Sequence, residues 1–228
     1  MPLRSIVNTA RALSFYTRRQ EIAAHNLANV ATDGYKGDRV TARQSPGGPW
    51  PVPVQTLDLQ QGNLRQTGRT LDVALEGSGF FVVKTKDGER LSRGGSFSLD
   101  AGGMLVDAHG DPVLGTEGPI ALSGREIQIE VDGTIMVDGA RAGQLKLVSV
   151  NDAATLRKEG LGHFAASGTP RSGAEGRVRQ GALEDANVDS ITGLVDLLAI
   201  QRAWAANTEA MRAMDSVLGT VTSEIGKT

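Results

Sequence analysis

The sequence predicts a mostly β protein: an antiparallel β central domain with long N- and C-terminal α-helices that pair as a coiled-coil-like inner domain. Three observations carry this. Residues 3 to about 29 hold neither Gly nor Pro and repeat apolar residues at helical spacing. Residues 71 to about 166 alternate short β-branched and aromatic runs with Asp-Gly pairs. Near the end, an apolar residue recurs every seventh position as far as Ile225.

The first helix places Leu3, Ile6, Ala10 and Leu13 at spacings of three and four, and Ala24 and Leu27 continue the stripe. Thr17 and Gln20 weaken its middle. In "HNLANVATDGYKGDR", His25 to Arg39, Asn29 and the pair Asp33-Gly34 tolerate positive φ. The helix is therefore expected to end near Asn29, and the chain to reverse at Asp33-Gly34. Asn26, Asn29, Asp33, Gly34 and Tyr35 are the expected helix-to-domain junction, because an Asn can satisfy the polar groups at a helix end. Beyond it, "SPGGPWPVP" (Ser45 to Pro53) carries four of the eight prolines. Proline stops helices and disfavours central strands, so residues 31–70 read as an extended connector.

"LDVAL", "GFFVVKT", "REIQIEV" and "GQLKLVSV" read as strands of a β-rich domain over 71–180. Asp87-Gly88, Asp132-Gly133 and Asp138-Gly139 are hairpin turns between such runs. Glycine, at 29 of 228 residues, is well above its usual share of about 7%, as many tight turns require. "SGTPRSGAEG" (Ser167 to Gly176) is a loop.

The last section, 181–228, holds a helix capped by Asp189 or Ser190 and running to about Ile225. Leu197, Trp204, Met211, Leu218 and Ile225 form the heptad series. The companion positions Leu194, Gln201, Thr208, Asp215 and Thr222 are poorer, and Ile191, Val195, Leu198, Met214, Val217 and Val221 make a second stripe. Some 35 residues at 1.5 Å each give a rod of about 50 Å, longer than one small β domain covers. Much of it therefore needs a partner outside the domain. The expected subunit interface is Leu3, Ile6, Leu13, Leu27, Leu197, Trp204, Met211, Leu218 and Ile225.

Several functions are excluded on composition. A formal charge of −2, with acids and bases interleaved, gives no concentrated basic surface for nucleic acid. No cysteine means no disulfide, thiol catalysis or thiolate metal site. No apolar run reaches the roughly 18 residues of a membrane-spanning helix, and "MPLRSIVNTARALSFYTRRQ" has no h-region of a cleaved signal peptide.

Chemistry is sparse too. His25, His109 and His163 are scattered with no i, i+4 pair, so no metal site is expected. "GSGFF" feeds a strand where a phosphate loop feeds a helix. "RGGSFS" lacks the glycine after serine of a nucleophile elbow. "DANVDSITGLVD" sets Asp185, Asn187, Asp189 and Asp196 at calcium-loop spacing, but Ser190 occupies the glycine position and a helix cap accounts for the same residues. No acid–base set converges, so neither catalysis, a cofactor nor a small-molecule substrate is expected. From these patterns alone a non-catalytic β-rich binding or adhesin-like module stays open beside a self-assembling structural protein.

Three motifs carry a resemblance. "HNLANVATDGYKGDR" resembles the "NNLAN-x-x-T-x-G-[FY]-[KR]" signature of bacterial flagellar axial proteins of the rod and hook family. Asn26, Leu27, Ala28, Asn29, Thr32, Gly34, Tyr35 and Lys36 match it, with His25 in place of the first Asn. "GRTLDVALEGSGFFVV", "RGGSFSLDAGGMLVDAHGDPVLG" and "GPIAL" resemble the family's central β segment. "QGALEDANVDSITGLVDLLAIQRAWAANTEAM" resembles its C-terminal signature through Gln180, Gly181, Leu183, Glu184, Asn187, Val188, Gln201, Arg202, Ala203 and Asn207. Asp185-Ala186, Asp189 and Trp204 depart from it. The short connector after Lys36 resembles the proximal-rod branch of the family more than the distal one.

The resemblance implies a structural subunit of the basal-body rod, exported by the flagellar type III apparatus without a cleaved signal. It implies assembly with copies of itself and neighbouring rod proteins into a helical shaft across the periplasm. The terminal helices would form the inner tube and the β domain would lie outside.

Overall fold

A computed structural model describes the backbone of residues 2–44, 51–150 and 152–225, and side chains of 7–44, 52–150 and 152–220. The chain divides into two compact units. One comprises Met1–Ala28, Asp38–Thr56 and Asp189–Thr228; the other comprises Asn29–Gly37 and Leu57–Val188. Residues expected as connector thus contribute to both.

The first unit is built on two helices, α1 (Pro2–Ala28) and α2 (Ser190–Ile225). Proline suits the first helical position, where its missing N–H removes no bond. The helix stops one residue before Asn29, as the sequence predicts. Asp189 caps α2: its carboxylate Oδ1 accepts the Thr192 amide at 2.8 Å and its carbonyl accepts the Gly193 amide at 2.9 Å.

Three contacts set the direction of the helix pair. Thr9 Oγ1 donates to Met214 Sδ at 4.0 Å, and the Trp204 indole N–H donates to Thr17 Oγ1 at 3.3 Å. A Cβ at Gly193 would sit 3.8 Å from Leu27 Cδ1. As the number rises along α1 it falls along α2, so the helices lie antiparallel.

Strands Asp38–Gln44 and Pro51–Leu57 form a two-stranded sheet in the same unit. No strand was expected there. The prolines are tolerated because a two-stranded sheet has only edge strands, which can leave an N–H position unused. The Asn26 side chain clasps the first of these strands at both backbone groups, donating to the Asp38 carbonyl at 2.8 Å and accepting the Asp38 amide at 3.0 Å.

The second unit is antiparallel β. Its six-stranded sheet runs in the order Leu156–Gly160, His163–Ala166, Gly88–Ser92, Phe80–Thr85, Leu147–Ser149, Arg171–Ser172. The last strand lies inside the stretch read as pure loop; only two residues pair, too few to show as an alternating pattern. Ile127–Ile129, Thr134–Val137 and Ala140–Gln144 form the expected consecutive hairpins.

The strand Phe80–Thr85 explains the two cores. Successive side chains alternate faces, so Phe81 and Val83 enter one cluster with Val73, Phe97, Leu105, Ile135 and Val178. Phe80 and Val82 enter another with Leu91, Val148, Leu156 and Phe164. Edge-on aromatic pairs anchor each, Phe81–Phe97 at 5.2 Å and Phe80–Phe164 at 5.7 Å between centroids.

Candidate assembly interface

The faces of α1 and α2 decide what the first unit can bind. On α2 the buried or half-buried positions are Gly193, Leu197, Ile200, Ala203, Asn207, Thr208, Met211, Met214 and Leu218. Leu197, Met211 and Leu218 of the heptad series are among the half-buried residues. The companion row differs from expectation: it runs through Gly193, Ile200, Asn207 and Met214, while Leu194, Gln201 and Asp215 face solvent. Both choices satisfy three-four spacing, so spacing alone could not separate them. Trp204 is exposed over its rings while its N–H reaches Thr17. On α1, Leu13 and Leu27 are half-buried and Ile22 is buried, while Ala10 and Ala24 are exposed. Leu3, Ile6 and Ile225 fall within the helices, but their side chains lie outside the described residues.

A second apolar face points outward. Ile191, Leu194, Val195 and Leu198 occupy positions i, i+3, i+4 and i+7 of α2, and all four are at least 48% exposed. Val217 and Val7 are exposed as well. Those four residues make one stripe on the first two turns and a half of α2.

In the second unit, the segments after Asn29 and before Asp189 are joined by a polar clamp. Gly34 N donates to the Glu184 carbonyl at 2.6 Å, Asn187 N to the Tyr35 carbonyl at 3.2 Å, and Gly37 N to Asn187 Oδ1 at 2.6 Å. The Asn187 amide nitrogen donates to the carbonyls of Asp58 and Gln60. Gly34 has φ +68°, and a Cβ there would lie 2.3 Å from the Arg93 carbonyl carbon. Only glycine fits both that conformation and that approach. Asn29 holds the turn before it, accepting Thr32 N at 3.0 Å, and Tyr35 lies under the Lys158 ammonium, 4.2 Å from its ring centre.

A buried ionic cluster sits at the centre of the clamp. One oxygen of the Glu184 carboxylate accepts Lys36 Nζ at 2.5 Å and Gly62 N at 2.9 Å. The other accepts Arg93 Nε at 2.8 Å and its Nη2 at 2.7 Å. Arg93 spends its remaining donors on the carbonyls of Leu75, Gly77 and Gly79. All three side chains are at most 4% exposed. Burial pushes the Lys36 ammonium below its ordinary 10.5, with Glu184 opposing. At the surface, Arg65 bridges Asp185 and Asp33. Burial pushes the Asp33 carboxyl up, with Arg65 opposing and Asp185 and Asp72 adding to the rise.

Lys36, Glu184 and Asn187 stand in the quoted motifs, but no role followed from them. The available signal was a pair of opposite charges, Lys36 and Glu184, each near a glycine in a quoted motif. Arg93 gave no such signal. Of the residues at calcium-loop spacing, Asp189 caps α2, Asn187 holds the clamp and Asp185 binds Arg65.

Comparison with known proteins agrees with this arrangement. Residues 74–137 match the flagellar hook protein FlgE/F/G D1 domain, and residues 179–224 match the flagellar basal body rod FlgEFG protein C-terminal region. The chain is 31% identical to the flagellar basal-body rod protein FlgF of Escherichia coli (strain K12), over 94% of this chain and 95% of that one. It is 30% identical to FlgG of Agrobacterium fabrum, over 98% and 100%. Against FlgF of Caulobacter vibrioides it is 29% identical over 92% and 93%. No helix among the described residues is long and apolar enough to cross a membrane. With both ends and the middle matched in order, the chain belongs to the family of flagellar basal-body rod proteins.

Proposed function

We propose that this protein is a non-catalytic structural subunit of the bacterial flagellar rod that joins copies of itself and neighbouring rod proteins through α1 and α2. The observation that carries the reading is the outward stripe Ile191, Leu194, Val195, Leu198 on α2. Fully burying such a side chain is worth about 1.5–3 kcal/mol. With about half of each still exposed, a neighbour covering the stripe gains on the order of 4 kcal/mol before ordering costs. Subunits related by rotation and rise make heterologous contacts that extend as a helix and do not close. A shaft held this way transmits torque through many weak, equivalent contacts.

Within the family we place the chain in the proximal rod, the FlgF position, because its connector after Lys36 is short and the β segments beyond it match; the FlgG position is the second reading. Family membership supports residence in the basal body, and export through the flagellar type III apparatus and a place across the periplasm belong to the proposal. The inner placement of the helices, with interface residues Leu3, Ile6, Leu13, Leu27, Leu197, Trp204, Met211, Leu218 and Ile225, belongs to the same proposal.

The test separates folding from assembly. Val195→Asp and Leu194→Asp change side chains that are at least half exposed, so the isolated chain should keep its circular dichroism and melting temperature. Cells carrying either variant should lack completed rods and fail to swim. Normal rods in both would overturn the proposal.

A further inference from the structure

Outside the clamp and the helices, the described residues bring one cluster of possible metal-ligand atoms together. The loop Asp107-Ala108-His109-Gly110-Asp111 folds around a single carboxylate oxygen: Asp107 Oδ1 accepts the amides of His109 and Asp111, each at 2.9 Å. Oδ2 is left to face His163, which opens the strand His163–Ala166, and lies 2.7 Å from its Nε2. Asp107 and His163 are both buried, at 6% and 5% exposed.

The hydrogen bond fixes the imidazole. With Nε2 turned to Asp107, the other ring nitrogen, Nδ1, faces Asp111, 3.9 Å from its Oδ2. One ligand atom each from Asp107, Asp111 and His163 lies within 4.8 Å of the others, close enough for a single cation. Atoms bound to one zinc at about 2.0–2.2 Å sit roughly 3.3–3.6 Å apart in tetrahedral geometry, so the gap between Nδ1 and Asp111 needs to close by only a few tenths of an ångström.

A third donor stands beside them. The His109 ring lies edge-on to His163, 5.6 Å between centroids and inclined by 86°. Two imidazoles sharing one metal have centroids about 5 Å apart. His109 is exposed and Asp111 partly so, which opens the Nδ1 side to solvent while Asp107 closes the other.

We propose that His163 Nδ1, the Asp111 carboxylate and the His109 imidazole form a site for a divalent first-row transition-metal ion of the zinc class, with Asp107 as the outer carboxylate that orients His163. Two nitrogens and one oxygen suit zinc, nickel or copper better than calcium or magnesium. The carboxylate–histidine–metal arrangement fixes tautomer and ring direction together. Water completes the coordination, and the ion ties the loop 107–111 to the strand beginning at His163.

The experiment titrates the full chain with zinc chloride by calorimetry at pH 7.5, and with cobalt(II) by visible absorption. The expected result is one saturable site, with His109→Ala plus Asp111→Asn weakening it at least tenfold. Asp107→Asn should weaken it about 10- to 100-fold by freeing the ring it orients. His25→Gln, away from the cluster in the sequence, should leave the affinity unchanged. Both loop side chains of the double variant face solvent, so circular dichroism should show it folded. No saturable binding up to millimolar zinc, or binding that the double variant retains in full, would overturn the proposal.

Discussion

Glu184→Gln is the sharpest test of the clamp, because it changes charge and almost nothing else. Glu184 takes four N–H donors on two oxygens and is the acid bonded to both Lys36 and Arg93. An amide keeps one oxygen and turns two donors toward donors. Lys36 and Arg93 are left as two buried cations. Arg93 cannot give up its proton, so Lys36 relieves the repulsion by folding neutral. The price of that route has a ceiling of 1.36 kcal/mol for each pH unit below 10.5, or about 4.8 kcal/mol at pH 7. This agrees with the roughly 3–5 kcal/mol lost when one partner of a buried ion pair is removed.

The sign follows from proton counting. When the folded pKa of a lysine lies below its unfolded value, the unfolded chain binds more protons, so stability rises with pH up to the unfolded pKa. The deficit of the variant should therefore shrink to about 2 kcal/mol at pH 9. Thermal melts at both values, read at about 2–4 °C per kcal/mol, should show a drop near 10–15 °C at pH 7 and about half that at pH 9. Lys36→Met leaves a balanced Arg93–Glu184 pair and should be milder. A melt of Glu184→Gln unchanged at pH 7, or a deficit that does not move with pH, would refute the argument.

Three further outcomes follow from local geometry. Gly34→Val combines φ +68° with a Cβ 2.3 Å from backbone, so the β unit should lose its cooperative melt and the soluble yield should fall. Asp189 has its carboxyl held below 3.8 by the Thr192 amide and side chain, so its capping is complete above pH 4 and lost as pH falls through the folded pKa. Helical ellipticity should decline as pH falls below 4 in the parent, and less in Asp189→Asn, which caps without titrating. Gly193→Ala places a methyl 3.8 Å from Leu27 Cδ1, an ordinary contact, and removes a helix-interior glycine. It should raise the melting of the helix pair by about 1 kcal/mol; a lower melting temperature would mean the seam is closed at that point.

What the sequence made readable was local. Asp132-Gly133 and Asp138-Gly139 announced their hairpins because a two-residue turn with positive φ is a short-range requirement; Gly133 and Gly139 have φ +84° and +82°, and Asp138 has +49°. Asp189 announced a helix start for the same reason. What escaped was long-range. The Lys36–Glu184 bond joins residues 148 positions apart, and nothing in either neighbourhood names the other. His109 and His163 look unrelated at a separation of 54 in sequence, yet their rings touch because the loop around Asp107 folds onto the start of a strand. The companion row on α2 was an error of a different kind. Ile200 and Met214 were available as better seam residues than Gln201 and Asp215, but the choice rested on spacing, which both rows satisfy.

An ordinary surface helix hides its best apolar residues and shows its polar ones. The start of α2 turns Leu197 and Ile200 inward and still shows four large apolar side chains. Its inward row there begins with Gly193, and farther along it includes Asn207 and contacts to Thr9 and Thr17 of α1, while Ile191, Leu194, Val195 and Leu198 face out. A sequence selected only for a stable lone subunit would exchange these faces. Polar and small residues in the internal seam give direction and alignment to the pair at little gain in stability. The outward stripe holds the larger unspent gain. In the proposed assembly, α2 buries against a neighbouring subunit this stripe, which the lone chain leaves exposed.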